Sequence, residues 1–132
     1  MKKFYILSLL LLPVFFAQAQ FVGVGTNTPE ALLHVDAGPA VVNRGLLVTG
    51  SYSALATMPN LGGGSRLMFY PGKAALRAGL VNGTEWDDVN IGRESIGLGS
   101  SSMASGYNAA AFGRFTTASG QVSTAFGTNT LA

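Results

Sequence analysis

Several short stretches of the chain alternate apolar and polar residues with a period of two, which is typical of β-strands. Residues 33–36 show this pattern, residues 21–24 form a short β-type run, and residues 26–29, Thr-Asn-Thr-Pro, supply turn chemistry between them. A further β-type run covers residues 46–48. The pattern predicts a strand–turn–strand segment over residues 20–50.

A hairpin is predicted within a connector that covers residues 51–89. Residues 67–70 read as a strand with Leu67 and Phe69 on one face and Met68 and Tyr70 on the other, and residues 71–72 then turn the chain. Residues 73–81 can return as a second strand, although the run Ala-Ala-Leu-Arg-Ala inside them is also compatible with a helix. We therefore expect all-β structure here, with the helix left open for the second half of the hairpin.

Glycine recurs at every seventh position in the last third of the chain, residues 90–132. A seven-residue repeat first suggests a coiled coil, but such repeats need Leu, Ile or Val at two positions and helix formers elsewhere. The residues here are Gly, Ala, Ser, Thr, Asn and aromatics, and each glycine would cost a helix about 1 kcal/mol. The glycines are Gly92, Gly99, Gly106, Gly113, Gly120 and Gly127.

The true period is fourteen, because from Gly99 onward the residue before each glycine alternates between large apolar and serine. Side chains of a strand alternate with period two, so an unbroken strand would send glycines seven apart to opposite faces. The chain must then turn once per unit, and we expect glycine to form these turns because it accepts φ > 0 and leaves room for a neighbouring backbone. Two strands and two turns make a fourteen-residue coil, and stacked coils make a parallel β-solenoid. The apolar positions of the repeat are Leu98, Phe112, Phe126, Ala104, Ala111, Ala118 and Ala125.

A coil of this size encloses little more than small side chains, so its larger apolar residues must also face outward. Self-association of identical chains is the natural way to cover them. The repeat therefore predicts a homo-oligomer.

The repeat resembles the head repeat of trimeric autotransporter adhesins of the YadA type. The family pattern is S-x-A-x-G followed seven residues on by A-x-G. This chain departs from it at two positions, with Gly97 in place of alanine and Ala109 in place of serine. The resemblance implies a left-handed β-roll packed as a homotrimer at the cell surface, with adhesion to a host or environmental ligand and no catalysis. The matching segments are 95–99, 104–106, 109–113, 118–120 and 123–127.

The segment before the repeat is also similar to known proteins. Residues 22–35 resemble the strand–turn–strand that opens many Bacteroidetes surface proteins and phage tail-fibre-like proteins. The alternative function is accordingly a tail-fibre-like appendage without its C-terminal chaperone domain. The repeat stops part-way through a unit at Ala132, so we expect the sequence to be truncated there.

Residues 1–19 read as a secretory signal, with two lysines, a short apolar run and an Ala-x-Ala site before a cleavage between Ala19 and Gln20. The apolar run is short for a membrane span, so we expect export to the cell surface, the outer membrane or the medium. The eight basic and six acidic residues include Lys2 and Lys3. The mature part is therefore neutral, which argues against a nucleic-acid partner.

The sequence has no cysteine and one histidine, His34, which excludes a disulfide framework and disfavours a histidine-rich metal site or a catalytic triad. We predict no catalytic residue, cofactor or metal, and thus no enzyme. The acids at 85, 87 and 88 are weak candidates for a cation, and Trp86 and Tyr107 for stacking on a sugar, although Trp86 fits better against a neighbouring chain. The arginines that could pair with these acids across a trimer interface are Arg66, Arg77 and Arg93.

Overall fold

The computed structural model describes residues 22–36, 38 and 46–132, and these residues form β-structure with no α-helix. The chain divides into two compact units, residues 1–47 and 48–132. Within the described part, no helix is long and apolar enough to cross a membrane. The predicted signal, with its cleavage site at Ala19 and Gln20, lies outside the described residues.

The first unit contains two short strands, β1 (Val22–Val24) and β2 (Leu33–Val35), which confirms the N-terminal strands expected from the sequence. They pair in parallel, with Val22 opposite Leu33. The prediction of a β-type run at residues 46–48 was wrong, because these residues form no strand. They have no partner strand in the described residues, and Leu46 and Leu47 are exposed.

The second unit is built on a five-stranded sheet. Strands β3 (Gly64–Tyr70) and β4 (Ala75–Val81) form an antiparallel hairpin around a 3₁₀ turn at Pro71–Lys73, so the helical alternative for residues 73–81 is ruled out. Strand β4 then pairs in parallel with β5 (Ile96–Ser100), which starts a parallel ladder. In sheet order the strands are β3 (Gly64–Tyr70), β4 (Ala75–Val81), β5 (Ile96–Ser100), β7 (Ala110–Arg114) and β9 (Thr124–Thr128).

The ladder has the predicted register of fourteen residues. Leu98 lies opposite Phe112, and Phe112 lies opposite Phe126. A second wall is formed by the short strands β6 (Met103–Ala104) and β8 (Thr117–Ala118), which also pair fourteen residues apart. The parallel β-solenoid expected from the glycine repeat is therefore confirmed.

The hairpin belongs to the solenoid and is more than a connector. Gly79 of β4 lies opposite Gly99 of β5, so the first coil contains twenty residues where later ones contain fourteen. The extra residues include Trp86 and a 3₁₀ turn at Asp88–Asn90. Hairpin and repeat thus form one continuous sheet within one compact unit.

The apolar part of the interior of the fourteen-residue coils is made of alanine. These alanines are buried as a single cluster. A second cluster under the hairpin contains Tyr70, Ala75 and Ile91, with Met58 and Met68 packed against it. The alanine cluster consists of Ala104, Ala109, Ala111, Ala118 and Ala125.

Candidate functional site

The repeat glycines occupy two columns, and neither column forms the left-handed turns that we expected of them. Gly99, Gly113 and Gly127 lie inside strands with φ of +119° to +125°, and their column extends back to Gly79 of β4. The left-handed corner positions, with φ of 49° to 58°, fall two residues after each glycine and hold other residue types. These corner residues are Glu94, Ser101, Asn108, Phe115, Val122 and Asn129.

Close stacking of neighbouring coils explains why glycine recurs. A Cβ added to Gly99 would overlap the carbonyl oxygen of Gly113, and a Cβ added to Gly113 would overlap that of Gly127. The second column repeats the relationship, since a Cβ on Gly92 would meet Gly106 and one on Gly106 would meet Gly120. The expectation that glycine leaves room for a neighbouring backbone therefore matches the geometry, while the turning role was assigned to the wrong residues.

Arg77 is completely buried inside the first coil and so does not face another chain, which corrects the interface role suggested by the sequence. Its guanidinium donates to the carbonyl oxygens of Leu76 (2.8 Å), Ser95 (3.0 Å) and Ala104 (2.9 Å), and to the Ser95 hydroxyl (2.8 Å). Burial lowers the pKa of Arg77 to about 10. The side chain of Arg77 therefore fills the interior of the first coil beneath strand β4.

The other two arginines also bond to backbone oxygens of their own chain. Arg66 Nη2 donates to the carbonyl of Gly62 at 2.5 Å. Arg93 Nη2 lies 3.4 Å from the carbonyl of Ala54, and its guanidinium sits 6.0 Å from the ring centre of Tyr52. Arg93 thus holds the segment before the hairpin against a corner of the solenoid.

The acidic residues near Trp86 organise the first coil. Asp88 Oδ1 accepts bonds from Lys73 Nζ (3.1 Å), the Tyr70 hydroxyl (3.2 Å) and the Met58 amide (3.2 Å). Glu85 accepts a bond from the Gly83 amide. No group of three or more metal-binding side chains occurs among the described residues.

Trp86 is buried within its own chain, contrary to both roles suggested by the sequence. Only 5% of its surface is exposed, and its Nε1–H donates to the carbonyl oxygen of Ser102 at 2.8 Å. It is therefore unable to offer a face to a sugar or to a neighbouring chain. His34 lies on β2, where its Nδ1 accepts a bond from the Glu30 amide at 3.2 Å.

The outer face of the five-stranded sheet carries a central column of apolar side chains that crosses all five strands. Residues in register share a face, and the central column runs without a break from β3 to β9. Its ends are the most open, with Leu67 75% and Phe126 78% exposed. A parallel column beside it adds the exposed side chains of Phe69 and Ile96. The central column consists of Leu67, Ala78, Leu98, Phe112 and Phe126.

This arrangement gives the large and small residues of the repeat separate roles. Ala111 and Ala125 point into the coil, whereas their neighbours Phe112 and Phe126 point out, with ring centres 6.3 Å apart. Leu98 and Phe112 are half-buried by their neighbours in the column. The large column therefore forms a surface, and the alanines hold the interior.

A groove of about 760 Å³ runs along a corner of the solenoid. One wall is the segment 54–57, and the other is a column of side chains fourteen residues apart, Arg93, Tyr107 and Gln121. Tyr107 is 43% exposed and its hydroxyl lies 3.3 Å from Glu94 Oε1. The charge of Glu94 and this hydrogen bond raise the pKa of Tyr107. Of the two stacking candidates from the sequence, Tyr107 is the one left with an open side chain.

Comparisons with known proteins give no match: no family model fits the chain, and no curated protein or solved structure is significantly similar to it. The class that the structure defines is a parallel β-solenoid with fourteen-residue coils, which is compatible with a β-roll. The left-handed sense and the kinship with the adhesin family stay predictions from the repeat.

Proposed function

We propose that the protein is an exported structural protein of the adhesin type, displayed at the cell surface as a homotrimer of β-solenoids. The observation that carries the proposal is the apolar outer face of the five-stranded sheet. Contiguous exposed apolar surface of this kind marks interaction sites in soluble proteins. The repeat supports the assignment through its resemblance to the YadA-type head.

The outer face suits contact with copies of the same chain. Its central column places an apolar residue on every strand of the sheet, so identical chains can align their coils with each other. Burying a side chain as large as Phe126 is worth about 1.5–3 kcal/mol. Three copies that cover this face leave the second wall and the corners free.

The corners and the second wall are the part of this assembly that meets its surroundings. Thr117 of β8 is half-buried, and Ser119, just beyond that strand, is exposed. Such a surface supports a binding role carried by a repeated face and not by a catalytic cleft. The function that we propose is therefore attachment without catalysis.

Sedimentation equilibrium of the full chain tests the assembly. We expect three chains per particle for the wild type, and dissociation at least about tenfold easier for Phe126→Ser, since one large apolar contact is lost in each copy. Val89→Ser is the matched control, because Val89 is 85% exposed and lies on the 3₁₀ turn outside the sheet. A wild-type chain that sediments singly, or equal weakening by both variants, would contradict the proposal.

Export is tested separately. Cells that make the full chain are treated with protease while intact, and the first residue of the mature protein is determined. We expect Gln20 at the N-terminus and loss of the repeat to the protease. A chain that keeps Met1 and stays protected would overturn the proposed location.

A further inference from the structure

The corner groove has the composition of a binding site for an elongated polar ligand. Its volume of about 760 Å³ falls within the range of roughly 300–1,000 Å³ typical of small-ligand sites. It combines an exposed aromatic ring, Tyr107, with the hydrogen-bonding side chains of Arg93 and Gln121 and with the smaller Ser105 and Thr57. The central column of the outer face, by contrast, is apolar throughout.

The solenoid spaces the three larger side chains regularly. The Asn108 amide donates to the Arg93 carbonyl at 2.9 Å, and the Val122 amide to the Tyr107 carbonyl at 2.8 Å. The column Arg93–Tyr107–Gln121 therefore rises by about 4.8 Å per coil and spans roughly 10 Å. Three planar groups thus follow one another along the solenoid axis, which suits a chain-like ligand.

The opposite wall of the groove is fixed in place. The Ser53 amide donates to the carbonyl of Gly72 at 3.0 Å, and the Met58 amide to Asp88 at 3.2 Å. Between these anchors, Arg93 reaches the carbonyl of Ala54. The groove is therefore pre-formed, which reduces the entropy that binding must cost.

We propose that this groove binds a saccharide segment, with one sugar ring against the face of Tyr107 and its hydroxyl groups bonded to Arg93 and Gln121. A sugar ring offers an apolar C–H face to an aromatic ring and hydroxyls at its edge, so one ligand satisfies both kinds of side chain. The inference rests on the proposed adhesive function and names the class of ligand for it.

Titration calorimetry of the full chain tests the proposal with two probes, cellohexaose as a neutral oligosaccharide and hexagalacturonate as an acidic one. We expect binding of at least one probe. Tyr107→Ala should weaken it by about tenfold or more, as expected for an aromatic anchor, and Gln121→Ala by less. Tyr107→Phe keeps the ring and should retain most of the affinity.

Phe115→Ala is the matched control. Phe115 is 41% exposed, close to the 43% of Tyr107, and has Arg114 4.5 Å from its ring centre, but it lies on a corner outside the groove. We expect the Phe115→Ala variant to bind the oligosaccharide probes with the affinity of the wild type. Failure of both probes to bind, or equal loss in Tyr107→Ala and Phe115→Ala, would overturn the proposal.

Sedimentation of the same samples separates this inference from the proposed assembly. A trimeric wild type that binds neither probe would end the saccharide assignment and leave the assembly standing. Tyr107→Ala is expected to stay trimeric, since the groove lies at a corner outside the outer face. Loss of the trimer in that variant would contradict the separation of the two surfaces.

Discussion

Arg77 and Gly97 share one layer of the solenoid interior, opposite each other on neighbouring strands. A Cβ added to Gly97 would lie 2.9 Å from Arg77 Cδ and 3.1 Å from Nε. In the next two coils the same position holds Ala111 and Ala125. The glycine that departs from the repeat is therefore explained by the arginine beside it.

We predict that Gly97→Ala destabilises the wild type but not a chain that also carries Arg77→Ala. In the wild type the added methyl overpacks the layer and should cost about 1–3 kcal/mol in free energy of unfolding. Without the arginine the methyl fills the space, as Ala111 does one coil on. Urea unfolding of both single variants and the double variant measures the coupling, and equal costs in the two backgrounds would contradict the account.

The glycine columns permit a test in which contact and backbone strain are varied independently by four alanine substitutions. Gly113 combines a φ of +120° with a carbonyl oxygen that an added Cβ would overlap. At Gly106 an added Cβ would also overlap a carbonyl oxygen, but the backbone is not in the left-handed region. Gly127 has φ of +119° alone, and Gly120 has neither, with Ser123 Cβ at 3.4 Å as its nearest neighbour. The order of destabilisation should therefore place Gly113→Ala first and Gly120→Ala last.

Thermal and urea unfolding give the magnitudes of these effects. Gly113→Ala should lose at least about 2 kcal/mol, because strain and overlap combine, and Gly120→Ala should stay within about 0.5 kcal/mol of the wild type. Gly106→Ala and Gly127→Ala should fall between them. Similar losses for Gly113→Ala and Gly120→Ala would show that stacking of the coils does not explain the repeat.

A pH dependence is predicted for Tyr70. Burial first, and then the charge and hydrogen bond of Asp88, raise the pKa of Tyr70 above its ordinary value of 10.0. Above pH 10 the unfolded chain releases a proton that the folded chain retains, so the free energy of unfolding falls as pH rises. Tyr70→Phe lacks this proton and should lose about 1 kcal/mol at neutral pH through its missing hydrogen bond. The difference in free energy of unfolding between Tyr70→Phe and the wild type should therefore shrink above pH 10. A difference that stays constant with pH would contradict the burial of the phenol.

The solenoid could be predicted from the sequence because the period of the repeat equals the residue offset between paired strands. The alternation of large and small residues before the glycines from Gly99 onward gave the fourteen-residue period, and the structure pairs Leu98, Phe112 and Phe126 as that period requires. The Pro71-Gly72 pair likewise marked the hairpin. Local turn chemistry and exact spacing are the signals that a single sequence carries best.

The corner residues and Arg77 were missed because their conformations depend on the stacked coils. Asn108 and Asn129 are tolerant of the left-handed region, but Phe115 and Val122 are not residues that predict it. Arg77 gave one signal that we did not use: Gly97 stands where other units have alanine. Gly79 was missed because the first coil is longer than the rest.

The fourteen-residue coil is the claim on which both proposed surfaces depend, and a disulfide placed by design tests it most directly. The chain has no cysteine of its own, so Ser100→Cys with Arg114→Cys introduces a single pair at two positions that are in register on neighbouring strands. Their separation of about 4.8 Å suits a disulfide. Peptide mapping of the oxidised full chain should find the link between residues 100 and 114 within one chain.

Ser100→Cys with Thr128→Cys is the control, since Thr128 lies in the same column but one coil further on. That pair is about 9.6 Å apart, beyond the reach of a disulfide. We predict a complete link for the first pair and none within the chain for the second. Free thiols in the first pair, or a link in the second, would contradict the coil and the two surfaces built on it.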